Sequence, residues 1–105
     1  MTAYPKIFRV RQHFEAPRVD DPAAETELQL QRLNLRSKIQ PGQTVAISAG
    51  SRGIANIHRI IKAIVDHLKS LGAQPFIVPA MGSHGGGTAE GQRKVIESYG
   101  VTEAF

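Results

Sequence analysis

Two glycine-bearing stretches carry the side chains best placed for chemistry. One is Ala49-Gly50-Ser51-Arg52-Gly53, and the other runs from Ala80 through Met81-Gly82-Ser83-His84-Gly85-Gly86-Gly87 to Thr88. The one bulky polar side chain in the second stretch is His84, and an imidazole can exchange a proton near neutral pH. In the first, the guanidinium of Arg52 can hold a carboxylate or phosphate through two parallel hydrogen bonds. Gly82, Gly85 and Gly86 give up side-chain packing and raise the entropy cost of ordering the loop, which suits a place where backbone must approach a ligand closely. Thr88 reads as the cap of a following helix, whose free amides and positive dipole end would welcome a small anion. Ser51 and Ser83 read as hydrogen-bonding turn residues, available to an anion. No Ser-His-acid spacing supports a nucleophile.

The elements that must position these residues follow from periodicity. Thr44 to Ala49 is short, apolar and partly β-branched, the pattern of a parallel strand covered on both faces. Ile57, Ile60, Ile61, Ile64, Leu68 and Leu71 recur at helical spacing, with Asn56 as an expected cap and Gly72 as the stop. A second strand is expected over Pro75 to Val78, and a helix from Thr88 through Gln92, Val95 and Ile96 to Tyr99. Strand, helix, strand, loop and helix with short connections point to a parallel crossover. Both loops then leave the carboxyl ends of neighbouring strands, the edge at which open α/β sheets bind ligands. On this reading Arg52 and His84 share one crevice.

The first part of the chain is less regular. Ile7 to Phe14 alternates apolar and polar residues, as a half-exposed edge strand or arm would. Asp21-Pro22 supplies a cap and first turn for a helix over Ala23 to Lys38. Leu28 and Leu35 share one side of it while Leu30 and Leu33 lie elsewhere, so this helix is expected to touch two surfaces, one of them outside the chain. The fold class is therefore α/β, a single Rossmann-like domain over residues 1–105. Within it, 1–42 forms an amino-terminal strand and helix, and 43–105 forms a βαβα core that carries both loops.

With 105 residues there is room for one domain. The chain has no cysteine, hence no disulfide or thiolate metal site. No pair of histidines has the spacing of a metal site; His13 reads as structural or solvent-facing, and His58 and His67 on the long helix read as exposed. No apolar run suits a secretory signal or a membrane span, so a cytoplasmic location is expected. The net charge of +4 comes from scattered lysines and arginines, and aromatics are only 6% of the chain, which argues against nucleic-acid binding and fits a small anionic ligand.

Neither loop matches a Walker or dinucleotide fingerprint. Together, however, Ser48-Ala49-Gly50-Ser51-Arg52-Gly53 and Pro79 to Gly91, with its Gly-x-His loop and Thr-x-Glu helix start, resemble the amino-terminal domain of the nickel-dependent lactate racemase family. The resemblance implies a two-domain isomerase that uses a nickel pincer nucleotide in the cleft between its domains. It implies that His84 is one of a pair of acid/base histidines acting on the hydroxyl of a 2-hydroxy acid, and that Arg52 helps hold the anionic substrate. Gly82, Gly85, Gly86 and Thr88 would lie beside the cofactor. The family's cofactor-anchoring lysine, nickel ligand and second histidine would lie beyond position 105, in a second domain of the same protein. Neither metal nor cofactor is therefore expected on this chain alone, and a homo-oligomer is possible. Lactate racemases proper resemble Asp-x-Thr-Arg-Pro at the first loop, where this chain has Gly50-Ser51-Arg52-Gly53, so the resemblance implies a 2-hydroxy acid rather than lactate itself. The alternative reading is a non-catalytic binding module for a phosphorylated or carboxylated metabolite.

Overall fold

A computed structural model describes residues 3–105. Helix α1 spans Pro22–Arg32 and is followed by a short 3₁₀ turn at Leu35–Ser37. Strand β1 (Thr44–Ala49), helix α2 (Ile57–Ser70) and strand β2 (Gln74–Pro79) form a parallel strand-helix-strand unit. A 3₁₀ turn at His84–Gly87 then leads into helix α3, Ala89–Ser98. The result is a small α/β fold with three helices and a two-stranded parallel sheet.

The core forms where the two periodicities meet. On α2, Ile57, Ile61, Val65 and Leu68 are buried along one stripe. They pack with Ile47 and Ala49 of β1, Ile96 of α3, Ala73, Met81 and Val101. Each aliphatic side chain of this size contributes roughly 1.5–3 kcal/mol by leaving water. Gly72 ends α2 at φ 82°, a left-handed value that glycine adopts without a Cβ penalty.

The register pairs Thr44 with Gln74 through to Ala49 with Pro79. The Gln74 amide donates to the Gln43 carbonyl and the Ala80 amide to the Ala49 carbonyl, at 2.8 and 2.7 Å. Alternation along a strand therefore turns the even-numbered amides of β2 toward β1. Pro75 and Pro79 face the open edge, where their missing N–H removes nothing from the ladder and leaves fewer donors for a further strand.

Several expectations need correction. β1 is covered on one face only: Ile47 and Ala49 are buried, while Thr44, Ala46 and Ser48 are exposed beside the exposed Gln74, Phe76 and Val78. Both α2 and α3 contribute to the core on the opposite face, so the sheet's other apolar face lies open. Ile7 to Phe14 is not a strand; residues 3–20 are exposed throughout, because among the described residues no strand lies alongside to complete a ladder. The first helix stops at Arg32 rather than Lys38, since Asn34 turns left-handed at φ 47° and restarts the chain as 3₁₀. Leu28 and Leu33 are exposed, as a helix with leucines on two sides requires. Asn56 precedes α2 but its side chain caps nothing, because its own backbone is left-handed at φ 58°. No helix among the described residues is long and apolar enough to cross a membrane.

Candidate functional site

The parallel register places the ends of β1 and β2 side by side, and the two glycine-bearing loops leave from there. Arg52 and His84, 32 positions apart, meet: Arg52 Nη2 lies 2.7 Å from His84 Nε2. On the other side of the ring, Ser51 Oγ lies 2.6 Å from Nδ1. The imidazole is thus held at both nitrogens by consecutive residues of the opposite loop. Arg52 is exposed, whereas Ser51 and His84 are half-buried, so the cluster opens to solvent on the guanidinium side.

Hydrogen-bond chemistry decides the ring's state in this arrangement. A guanidinium only donates, so Nε2 must present its lone pair to Arg52. The proton of the neutral ring then sits on Nδ1, which donates to Ser51 Oγ. Arg52 sets the tautomer by claiming the Nε2 lone pair, and Ser51 receives the Nδ1 proton.

The second loop is shaped by its glycines. Gly85, Gly86 and Gly87 follow one another at φ 61°, 69° and 68°, a run of left-handed conformations that strains any residue with a Cβ. At Gly85 a Cβ would collide with the backbone of Gly91 and Gln92, so this glycine lets the loop seat directly on the start of α3. At Gly82, Gly86 and Gly87 nothing lies within 4 Å of where a Cβ would point. That side of the loop is open, as a surface for a flat ligand needs to be.

Thr88 performs the expected cap, its hydroxyl accepting from the Gly91 amide at 3.1 Å and donating to the Gly85 carbonyl at 3.2 Å. Glu90 forms no reciprocal box with it, and pairs instead with Lys94 at 2.8 Å. Ser83 is exposed and its side chain caps nothing, so the structure does not draw it into the Ser51–His84–Arg52 cluster. One supporting residue was read only as part of the helix: Gln92 of α3 donates from Nε2 to the Gly82 carbonyl at 2.6 Å, tying the loop to the helix it precedes. Its position one turn past the cap was the available signal.

The other histidines play no part here. His58 is exposed. His67, expected to be exposed, has a side chain only 9% accessible because it packs under α1 and meets Glu27. Among the described residues no group of three or more His, Asp or Glu side chains could hold a metal ion. A cavity of about 440 Å³, bordered by Phe76, Ile77, Arg93, Ile96 and Phe105, is lined by neither His84 nor Arg52. Its lining has no histidine, and of its two cations Arg93 is paired with Glu97 and Glu103 while Lys69 donates to the Phe105 carbonyl.

Compared with family models, with curated proteins and with solved structures, the chain finds no match. Functional inference therefore rests on the loops themselves.

Proposed function

We propose that this chain supplies the acid/base histidine and the anion-holding arginine of an isomerase site for 2-hydroxy acids, of the racemase or epimerase type. The observation that carries the reading is the meeting of Ser51, His84 and Arg52 at the strand ends. It sets a proton-transfer group against a carboxylate-binding group, the two functions a 2-hydroxy acid requires on neighbouring atoms.

The chain's own residues divide the work. Arg52 takes the substrate carboxylate with its fork of donors. His84, its Nδ1 proton held by Ser51, accepts the hydroxyl proton at Nε2 and returns it later. The α-hydrogen is a different problem, because a carbon acid beside a carboxylate is too weak for an imidazole alone. In the family that the loops resemble, a nickel pincer nucleotide supplies the acceptor for that hydrogen. The open face of Gly82, Gly86 and Gly87 fits the approach of such a flat group, with Thr88 and Gly85 behind it holding the loop to α3. A nickel ligand and the remaining acid/base group would come from a second domain of the same protein, in the cytoplasm.

The test is His84→Asn in the protein as its host makes it. Interconversion of the enantiomers of 2-hydroxy acids should fall about 10²–10⁴-fold, the usual contribution of a positioned acid/base group. Binding of the carboxylate should persist. The second reading, a binding module for a phosphorylated or carboxylated metabolite, is favoured by the exposure of Arg52. It predicts ligand binding with no interconversion of enantiomers in either protein.

A further inference from the structure

The same contact that identifies the site also closes it. Arg52 Nη2 sits 2.7 Å from His84 Nε2, so the nitrogen that should accept a proton already accepts a hydrogen bond from a permanent cation. The other nitrogen offers no alternative, since Nδ1 carries the ring proton and is 2.6 Å from Ser51 Oγ. As it stands, His84 has no free lone pair. A proton arriving at Nε2 would also create an imidazolium directly against the guanidinium.

We infer that Arg52 is a mask on His84 that the anionic group of the ligand removes, so that the histidine becomes a base only when a carboxylate or phosphate is in place. This rests on the reading of the site as an anion-binding acid/base centre. The guanidinium fork gives a carboxylate two parallel hydrogen bonds and a charge–charge attraction, where a neutral imidazole accepts a single bond. A carboxylate therefore competes successfully with a neutral imidazole for the same Nη2 protons. Arg52 is exposed, so its side chain has room to swing toward an incoming anion. Ser51 and His84 are half-buried, and they stay behind with the tautomer already set. The negative charge that draws Arg52 away then lies beside it and offsets its repulsion of the imidazolium that forms. Coupling of this kind keeps the base covered in the empty site and exposes it in register with the substrate hydroxyl.

Long-range proton–nitrogen spectra of the full chain labelled at histidine nitrogen read the mask directly, with His84→Asn assigning the signal. The empty wild type should show the Nδ1–H tautomer of His84. Ser51→Ala should keep that tautomer, because Arg52 still donates to Nε2, and should move only the Nδ1 resonance. Arg52→Gln should shift the Nε2 resonance to that of an uncovered lone pair. Titrating wild type with glycolate should reproduce the Arg52→Gln shift, and titrating Arg52→Gln should change nothing. The same shift with inorganic phosphate and not glycolate would uphold the mask and assign its release to a phosphorylated ligand. An empty wild type in the Nε2–H tautomer would overturn the mask whatever the anions do. So would a titration in which glycolate moves the amides of residues 50–53 while Nε2 stays put, an outcome that leaves the anion-binding reading standing. If neither anion moves any resonance, the anion-binding reading falls, and release falls with it.

Discussion

Glu27 of α1 reaches across to His67 of α2, with both carboxylate oxygens 3.0 Å from Nδ1. The contact joins residues 40 positions apart and, with Asp21 on Arg59 at 2.8 Å, gives α1 its polar seat on α2. Gln31, one turn along, donates to the same carboxylate at 2.9 Å.

The first prediction concerns acid. The hydrogen bond from Gln31, and next that from His67, hold the Glu27 carboxyl below its ordinary value of 4.5. A folded-state value below the unfolded one means stability that is present above pH 4.5 and lost as pH falls through the folded value. Urea melts between pH 7 and pH 3 should therefore show a steeper acid loss in wild type than in Glu27→Gln. Parallel curves would remove Glu27 from the account.

Asp21 serves three donors at once. Its Oδ1 accepts from the amides of Ala23 and Ala24 at 3.0 and 3.2 Å, and from Arg59. Asp21→Ala should cost about 0.5–2 kcal/mol as a lost cap. Arg59→Ala should cost no more than about 1 kcal/mol, the range of exposed ion pairs. Equal losses in denaturant titration would mean that the ion pair, not the cap, holds the helix start.

Gly85 and Gly86 separate two kinds of glycine requirement. Gly86→Ala meets open space and should cost roughly 1–2 kcal/mol for its left-handed backbone alone. Gly85→Ala carries the same strain and drives a methyl into the backbone of Gly91. It should cost clearly more, and it should displace His84 from Ser51, visible as a change in the His84 nitrogen spectrum.

Ile61 is 5% exposed at the middle of the α2 stripe. Ile61→Ala should cost about 2–5 kcal/mol, a large share of the stability of a small domain. Deleting residues 1–18 should leave the melting temperature unchanged, because residues 3–18 are exposed. A drop in melting temperature on deletion would show that the arm folds back onto the core.

The elements and the site were legible in the sequence to different degrees, for physical reasons. Thr44–Ala49 was readable to the residue because a β-branched apolar run is fenced by Gly42 and Gly50, and α2 because its isoleucines mark a single stripe. The convergence of Arg52 and His84 followed from parallel topology, which fixes where both loops emerge. That they touch, and that Ser51 grips the far nitrogen, depends on loop torsions that residue types do not encode. The alternation from Ile7 to Phe14 states which side a strand would bury, but not whether a neighbour exists to pair with it. His67 was misread because its cover comes from α1, and packing between helices so far apart in sequence leaves no local signature.

The exposed arm has a hydrodynamic consequence. The Cα radius of gyration is 19.3 Å and the longest dimension 71 Å. A compact chain of this length would have a radius of gyration of about 13 Å. Drag and column retention follow size, not mass, so a single copy should leave a gel-filtration column ahead of a globular standard of 11.4 kDa. Its elution volume would mimic a dimer. Light scattering or sedimentation equilibrium, which weigh the particle, should return the monomer mass from the same peak.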